Sequence, residues 1–565
     1  MNEKPKTIGI MFLYRDFEHD IYELIRAFYP GWELFPMYDT EQASFVTEQE
    51  RSGKNAEQSL QYDLFFMVCR EGRICRISWK RREPSEEGIL EIPAPGENVD
   101  QGLQNNRIID RETGLEKKDD SAGYSAAQAS DALLSFESRA AEQRMALRLR
   151  RKEQKDRIKQ ELYVLLKKLT GRDLPWGDLT GIRPVKLAMG YLEQGMDENR
   201  ICSELRRRYF VSSEKAVLAA RTAMREKEIL DSIDVSGGYS LYVGIPFCPS
   251  ICLYCSFSSF SIRQWESRVE DYLQALFHEM DEVSSMMRDT GRRLDTLYIG
   301  GGTPTTLSPD QLRALLSHLE KTFGFGSLKE FTVEAGRPDS ITADKLLALK
   351  EFPVSRISVN PQTMNRQTLE LIGRRHTPEQ TIEAFRLARE AGFDNINMDI
   401  IIGLPGEGKS MVENTLGEIT ALGPDSLTVH TLAVKRAARL NIFRDRYSEL
   451  DYETSQEIMD AAMEAARGMS MSPYYLYRQK NMKGNFENVG YAKVDKAGIY
   501  NILIMEERQP IVALGASGAS KLLAERENRI ERVENVKDVD SYIRRIDEMI
   551  LRKKTALPLI ALNSG

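Results

Sequence analysis

From Ser236 onward, short apolar runs alternate with amphipathic stretches, the pattern left by repeated strand-helix units whose parallel strands are buried on both faces. The runs Ser240 to Ile245, Thr296 to Gly300, Glu330 to Glu334, Arg356 to Val359, Ile396 to Ile400 and Ser426 to Val429 predict six strands. Between the first two, Val269, Leu273, Leu276, Met280 and Val283 recur at steps of four and three, which puts them on one helical face. Six such units predict an α/β fold with a partial (βα)6 barrel over residues 236–445.

The flanks read differently. Residues 1–82 alternate like a small accessory α/β domain, with a β-rich run at Thr7 to Tyr14, a helix at Tyr22 to Tyr29 and apolar runs at Leu64 to Cys69 and Ile74 to Trp79. Residues 83–134 are polar and almost free of aromatics, so they bury too little apolar area to offset chain entropy and predict a disordered insertion. Residues 135–235 form a helical region with two basic blocks, Ser135 to Lys168 and Asn199 to Ile233, whose charges read as solvated faces. Residues 446–565 predict a mixed α/β extension ending in an amphipathic helix, Val539 to Leu551.

Composition narrows the function classes. At 565 residues the chain is too long for one compact core. Charged residues make up 29% and the net charge is -7, which argues against nucleic acid as the main partner. No run long enough to span a membrane occurs, and the N-terminal MNEKPKTIGIMFLY lacks the apolar core of a signal peptide, so a cytoplasmic protein is expected. The six cysteines are too few for a disulfide scaffold.

Three of them, Cys248, Cys252 and Cys255, follow the first strand of the barrel at C-x3-C-x2-C spacing. Ligands so close together wrap one small object. A closed zinc site wants a fourth ligand, and no His or Cys stands nearby to complete it. Three thiolates can instead hold a 4Fe-4S cluster with one iron left open. Cys69, Cys75 and Cys202 sit in apolar strand or helix contexts and read as structural. The second strand runs into Gly300-Gly301-Gly302-Thr303, where backbone without side chains can approach a ligand at the carboxyl end of a barrel strand. Polar residues recur at or beyond the later strand ends: Glu334, Gln362, Arg374 and Asp399, with Ala433 after strand six. Carboxylates there need donors or cations, for which ribose hydroxyls are natural complements of Glu334 or Asp399, and a carboxylate is the complement of Arg374.

The cysteine loop with its aromatic Tyr254 resembles the signature of the radical S-adenosylmethionine (SAM) superfamily, and the glycine triplet matches that superfamily's second motif. The resemblance implies that SAM chelates the open iron and is cleaved by one electron to methionine and a 5'-deoxyadenosyl radical. From Tyr242 to Ala433 the chain is similar to the oxygen-independent coproporphyrinogen III oxidases, which implies that Tyr242, Tyr254, Gly301, Gly302, Thr303, Glu334, Gln362, Arg374, Asp399 and Ala433 line the sites of one or two SAM molecules. The turn Gly403-Leu404-Pro405-Gly406 is similar to the family's adenine-side loop, with Glu407 where a Gln is usual. The stretches Thr180-Gly-Ile-Arg183-Pro184 and Tyr477-Arg478-Gln-Lys480-Asn481 look most like the HemZ-type branch.

The family's substrate carries four propionates, so a cationic pocket is expected, with Lys435, Arg436, Arg478 and Lys480 as candidates beside Tyr474, Tyr475 and Tyr477. The implied reaction turns two propionates into vinyl groups, giving protoporphyrinogen IX, with a flavodoxin or ferredoxin as electron donor. One position departs from the family: Phe257 stands where the established oxidases carry a further Cys. The same departure occurs in relatives that act as haem chaperones. A haem-binding chaperone, and a radical SAM enzyme that methylates or opens a tetrapyrrole, are therefore the alternative readings.

Overall fold

The computed structural model describes residues 6–38, 62–71, 74–83, 85–94, 126–181, 183–433, 438, 440, 454–478, 486–524 and 529–562, with backbone alone over 126–144. The chain divides into two compact units, Met1–Thr180 and Gly181–Gly565.

In the first unit, β1 (Thr7–Phe12), α1 (Glu18–Phe28), β2 (Glu33–Tyr38), β3 (Leu64–Glu71), β4 (Ile74–Arg81) and β5 (Glu86–Pro93) precede a 45-residue helix, α2 (Ala126–Thr170). The sheet order is β2-β1-β3-β4-β5, with β1 parallel to both neighbours and the rest antiparallel. α1 buries Ile21, Leu24, Ile25 and Phe28. β5 corrects the expectation of disorder from residue 83. Averaged composition hides its two-residue alternation, in which Leu90 and Ile92 are more covered than Glu87, Ile89 and Glu91, and the strand pairs with β4 at the sheet edge. α2 begins nine residues before the expected Ser135. The remainder of the expected insertion, 95–125, lies outside the described residues.

In the second unit, α3 (Val185–Glu193), α4 (Glu198–Tyr209) and α5 (Ser213–Asp231) lead into the alternating core. Its strands are β6 (Gly238–Ile245), β9 (Arg293–Gly301), β10 (Glu330–Glu334), β11 (Arg356–Ser358), β12 (Ile396–Ile402) and β13 (Ser426–Thr431), joined through α6 (Val269–Asp289), α7 (Pro309–Phe323), α8 (Ala343–Lys350), α9 (Arg366–Leu371), α10 (Pro378–Glu390) and α11 (Lys409–Leu422). Two short strands, β7 (Phe247–Cys248) and β8 (Phe260–Ser261), pair beside them. Leu241, Val243, Leu297, Val333, Ile357, Met398 and Leu427 are all fully buried, which is why the strands read as apolar runs. Burying each such side chain contributes about 1.5–3 kcal/mol. The five α6 positions picked from sequence are buried as well.

The six strands run parallel in chain order, as expected, but the sheet stays open. The C-terminal extension is built into the same sheet. After α12 (Gln456–Gly468), β14 (Ser472–Tyr477) and β15 (Asn488–Ala492) add antiparallel beyond β13. After α13 (Ile499–Glu506), β16 (Ile511–Leu514) pairs parallel with β6 and makes a seventh parallel strand, followed by antiparallel β17 (Ala519–Ala524) and β18 (Arg529–Glu534). The expected terminal helix is broken at Arg545 into α14 (Val539–Arg544) and α15 (Ile546–Ala556). Glu279 on α6 locks this end in place. Its carboxylate accepts from Gly515 N (2.8 Å), Asn535 Nδ2 (2.8 Å), Tyr542 Oη (2.6 Å) and Lys553 Nζ (2.7 Å). Among the described residues no helix is long and apolar enough to cross a membrane.

Candidate functional site

The cysteine loop leaves the sheet at Phe247 and returns at Phe260. Hydrogen bonds pin it at both sides: Leu253 N donates to Ile372 O (2.9 Å), Leu440 N to Leu253 O (2.9 Å) and the Ser250 hydroxyl to Gly373 O (2.8 Å). Leu253 packs with Leu369, Ile372, Ile401, Leu404, Leu432 and Leu440, and Tyr254 lies against that cluster. With the loop so anchored, all three thiols face one cavity of about 270 Å³ at the carboxyl end of the parallel strands.

The glycine triplet lies against this loop. Gly302 N and Thr303 N donate to Ile245 O and Phe247 O, each at 2.7 Å. Gly301 has φ +113°, a region that side chains avoid, and a Cβ on Gly302 would stand 2.5 Å from the Phe247 carbonyl oxygen. The Thr303 hydroxyl lies 3.6 Å from Cys248 Sγ.

Around the same cavity stand Glu334, Asn360, Gln362, Arg374, Asp399, His430 and Ala433. Gln362 is held at φ +68°, unusual for a side-chain-bearing residue, by bonds from its N to Asp399 O (3.0 Å) and to its O from Ile401 N (2.9 Å). Its buried Oε1 and that of Asn360, Oδ1, have no partner, as expected of groups that await a polar ligand. Arg374 is buried, donates Nη1 to Asn360 O (2.5 Å) and reaches Tyr254 and Cys252.

Two carboxyls that line this cavity are shifted in opposite directions. Burial lifts Glu334 to about 7 against the Tyr298 hydroxyl, which donates to it at 2.5 Å, and the Asp399 charge raises it further. Burial also opposes charge on Asp399. There, hydrogen bonds and charge from His430, together with Asn397 Nδ2 (2.6 Å) and Thr428, prevail and keep the carboxyl below its ordinary range. Burial pushes the Cys248 thiol up to about 11 and raises Cys255 as well. Those thiols hold their protons until a metal displaces them. Burial, with Arg374 and Arg337 nearby, drops His376 to about 3, so it is neutral.

Of the ten positions expected to line the SAM site, nine border this cavity. Tyr242 does not: three residues short of the end of β6, it is stacked on Tyr298 with ring centroids 6.0 Å apart. The substrate candidates fare differently. Arg478 is buried near Glu487 and does not border the cavity, and burial lowers it to about 10. Tyr474 and Tyr475 are core residues, whereas Tyr477 reaches the cavity. Lys435, Arg436 and Lys480 lie outside the described residues. Sequence reasoning missed Arg337, Asn360, His430 and Asn488. Arg337 is buried, bonded through Nε and Nη2 to Asp339 (both 2.9 Å), and its Nη1 lies 3.6 Å from Cys252 Sγ. Its only signal was the Arg337-Pro-Asp339 spacing just past Glu334.

The donor set fits an iron-sulfur cluster. Cys248, Cys252 and Cys255 share this cavity, and three thiolates can hold a 4Fe-4S cluster with one iron left open. The orphaned amide oxygens and the close glycine backbone fit a polar ligand beside it.

The model of the radical SAM superfamily matches residues 242–419. The chain is 40% identical over 398 residues to an oxygen-independent coproporphyrinogen-III oxidase-like protein, HemZ, of Bacillus subtilis (strain 168), covering 70% of this chain and 79% of that one. It is 39% identical over 197 residues to a heme chaperone, HemW, of the same strain, covering 35% of this chain and 51% of the relative. The solved coproporphyrinogen III oxidase (HemN) from Escherichia coli aligns over 57% of this chain and 73% of its own, at 25% identity and a TM-score of 0.44. The match to the HemZ relative runs far beyond the radical SAM segment, and the chain belongs to the radical SAM superfamily, in the family of oxygen-independent coproporphyrinogen-III oxidase-like proteins of the HemZ type.

Proposed function

We propose that this protein carries out the oxygen-independent oxidative decarboxylation of coproporphyrinogen III to protoporphyrinogen IX, with SAM as the radical source. The observation that carries the reading is the convergence of Cys248, Cys252 and Cys255 with Gly301, Gly302, Gln362, Arg374 and the Glu334–Asp399 pair on one cavity. The name of its HemZ relative, an oxidase-like protein, supports the substrate class.

Cys248, Cys252 and Cys255 would hold a 4Fe-4S cluster, which supplies when bound the electron for reductive cleavage of SAM to methionine and a 5'-deoxyadenosyl radical. The chain's own residues position the reactants. Arg374, a buried guanidinium, offers a fork for the methionyl carboxylate. The backbone of Gly301 and Gly302 lets an amino group come close, and Gln362 Oε1 supplies an acceptor. Glu334 and Asp399 bracket a ribose diol. Leu432, Ile401 and Tyr477 line the apolar part of the wall and exclude water. In the overall change each of two propionates loses a hydrogen atom, carbon dioxide and one electron to become a vinyl group. Each hydrogen atom goes to one 5'-deoxyadenosyl radical, which becomes 5'-deoxyadenosine, and an external acceptor takes the electron.

Anaerobic incubation of the reconstituted protein with SAM, dithionite and coproporphyrinogen III tests this. The expected products are protoporphyrinogen IX, methionine and 5'-deoxyadenosine. SAM turnover with coproporphyrinogen unchanged overturns the substrate and directs attention to methylation or opening of another tetrapyrrole. A second reading, haem chaperone, is favoured by Phe257, which is 72% exposed at the cavity rim. Stoichiometric haem binding, with transfer to an apo-cytochrome and no porphyrinogen turnover, is the outcome that selects it.

A further inference from the structure

The cysteine loop separates two spaces. Cys248, Cys252 and Cys255 border the cavity described above, whereas the residues between the first two, Pro249, Ser250 and Ile251, border a recess of about 680 Å³. The recess is completed by Ser261 to Gln264 on one side and by the 366–377 segment on the other, and its charges are one-sided. Arg263, Arg366, Arg374 and Arg375 line it, with Glu370 as the one acid among the lining residues. Arg374 is buried and Arg366 is paired with Glu379 at 2.8 Å. Arg263 and Arg375 are exposed and have no ion-pair partner among the described residues.

A cationic hollow of this kind is out of keeping with a chain whose net charge is -7. Arginines left unpaired in a concave surface raise the local potential and steer an acidic partner toward it. The position gives the field a use. Any electron bound for the cysteines must cross protein. From the cavity side the path is filled by SAM and substrate, but from the recess it crosses three residues of loop, held in place by the Ser250–Gly373 bond. Transient electron-transfer encounters need little area, below about 1,200 Å² in total, so a small charged rim is sufficient.

We infer that the Arg263–Arg375 recess is the docking face for an acidic one-electron carrier protein, which delivers its electron through the 249–251 loop while the cavity side stays closed over its reactants. The inference rests on the radical SAM reading of the cavity, and the experiment separates the two.

The probe is a reduced, acidic flavodoxin, and the protein is the reconstituted holoprotein, in wild-type form and as R263E/R375E. Both side chains are exposed and neither borders the cavity, although Arg375 directly follows Arg374, so dithionite-driven SAM cleavage should stay within about twofold of wild type. Flavodoxin affinity, read by titration at low salt, should fall at least about tenfold, and its salt dependence should flatten. R263Q/R375Q should fall between. Equal affinity in wild type and charge-reversed protein, with dithionite-driven cleavage intact, overturns the docking face and leaves the cavity reading standing. Absence of dithionite-driven SAM cleavage in the wild type overturns the cavity reading, and the inference with it. Saturable binding of inorganic phosphate that R263E/R375E abolishes, with flavodoxin affinity unchanged, assigns the recess to a small anion and also overturns the proposal.

Discussion

Replacing Arg337 by Gln removes a buried guanidinium whose Nη1 lies 3.6 Å from Cys252 Sγ. The perturbation should appear in the reduction potential of a cluster bound there, because hydrogen bonds and charge at the ligating sulfurs set that potential. At 3.6 Å and an effective dielectric near 20, two unit charges interact by about 5 kcal/mol. An added electron is spread over four irons and their sulfurs, so roughly a quarter of that, about 1 kcal/mol, distinguishes reduced from oxidised cluster at this one sulfur. Asp339, bonded to the same guanidinium at 2.9 Å, stays in the single variant and so does not offset the loss there; removing it as well offsets about half. With about 59 mV per tenfold change for a one-electron couple, Arg337→Gln should shift the midpoint by about 40–50 mV to more negative values, and R337Q/D339N by about half of that. The assay is an EPR-monitored redox titration of the reconstituted protein, with iron and sulfide content as control. Because the single change strands Asp339, R337Q/D339N is titrated in parallel. A midpoint within about 10 mV of wild type, in variants of full cluster content, would refute the reasoning.

Cys252→Ala should abolish the iron-sulfur absorbance near about 400 nm after reconstitution, whereas Cys202→Ala on α4 should leave it intact. Gly302→Ala puts a methyl 2.5 Å from the Phe247 carbonyl oxygen, against backbone that cannot yield cheaply. It should cost about 1–3 kcal/mol of stability and weaken SAM binding at least about tenfold by calorimetric titration. Glu334 has a folded pKa of about 7 against an ordinary 4.5, so the ligand-free fold holds its proton more tightly than the unfolded chain does. Stability is therefore fullest below about 4.5 and falls as pH rises through about 7, by about 1–3 kcal/mol once solvent in the cavity is allowed for. Glu334→Gln should flatten that slope in denaturant melts between about pH 5 and 8, and an unchanged slope counts against the assignment. Lys553→Met strands the buried Glu279 carboxylate and should cost about 3–5 kcal/mol in urea unfolding. A loss below about 1 kcal/mol would show that the lock is dispensable.

What could be read in advance was what short-range pattern encodes. Glu330 to Glu334 was placed to the residue because Phe331, Thr332 and Val333 form a β-prone run bounded by Gly326 on one side and Gly336 on the other. The cysteine loop was legible because its three thiols lie within eight residues of one another. By contrast, β16 pairs Ile511 with Ser240, a contact across some 270 residues that leaves no local trace. For the same reason the C-terminal strands could not be assigned to the core sheet. Arg337 acts on a cysteine 85 residues earlier, so only folding reveals it. Arg478 shows the opposite error. A basic residue among tyrosines suggests an anion pocket, but just past the end of β14 its side chain is buried near Glu487, away from the cavity. The break at Arg545 was invisible because neither Gly nor Pro marks it, and the amphipathic pattern continues across.

The split between Glu334 and Asp399 ties the fold to the chemistry proposed for it. Both sit at or near the carboxyl ends of parallel strands, two strands apart, and differ in what the neighbouring strands present to them. Glu334 faces Tyr298 from β9 in a wall of stacked rings, Tyr242, Tyr298 and Tyr500, where the hydroxyl bond from Tyr298 does not outweigh the cost of burying a charge. Asp399 faces His430 from β13 and Asn397 from its own strand, which do outweigh it. Below about pH 7 Glu334 therefore carries a proton that it can donate, whereas Asp399 is a carboxylate that only accepts. The ribose diol proposed here could use that combination, with one hydroxyl donating to the Asp399 carboxylate and the other exchanging bonds with Glu334. A pair of carboxylates would repel each other in a closed cavity, and a pair of neutral acids would forfeit the charge-assisted bond. The strand order that sets tyrosines beside Glu334 and a histidine beside Asp399 thus shifts two acids of the same kind in opposite directions, which is what would let them serve the one ligand proposed for them.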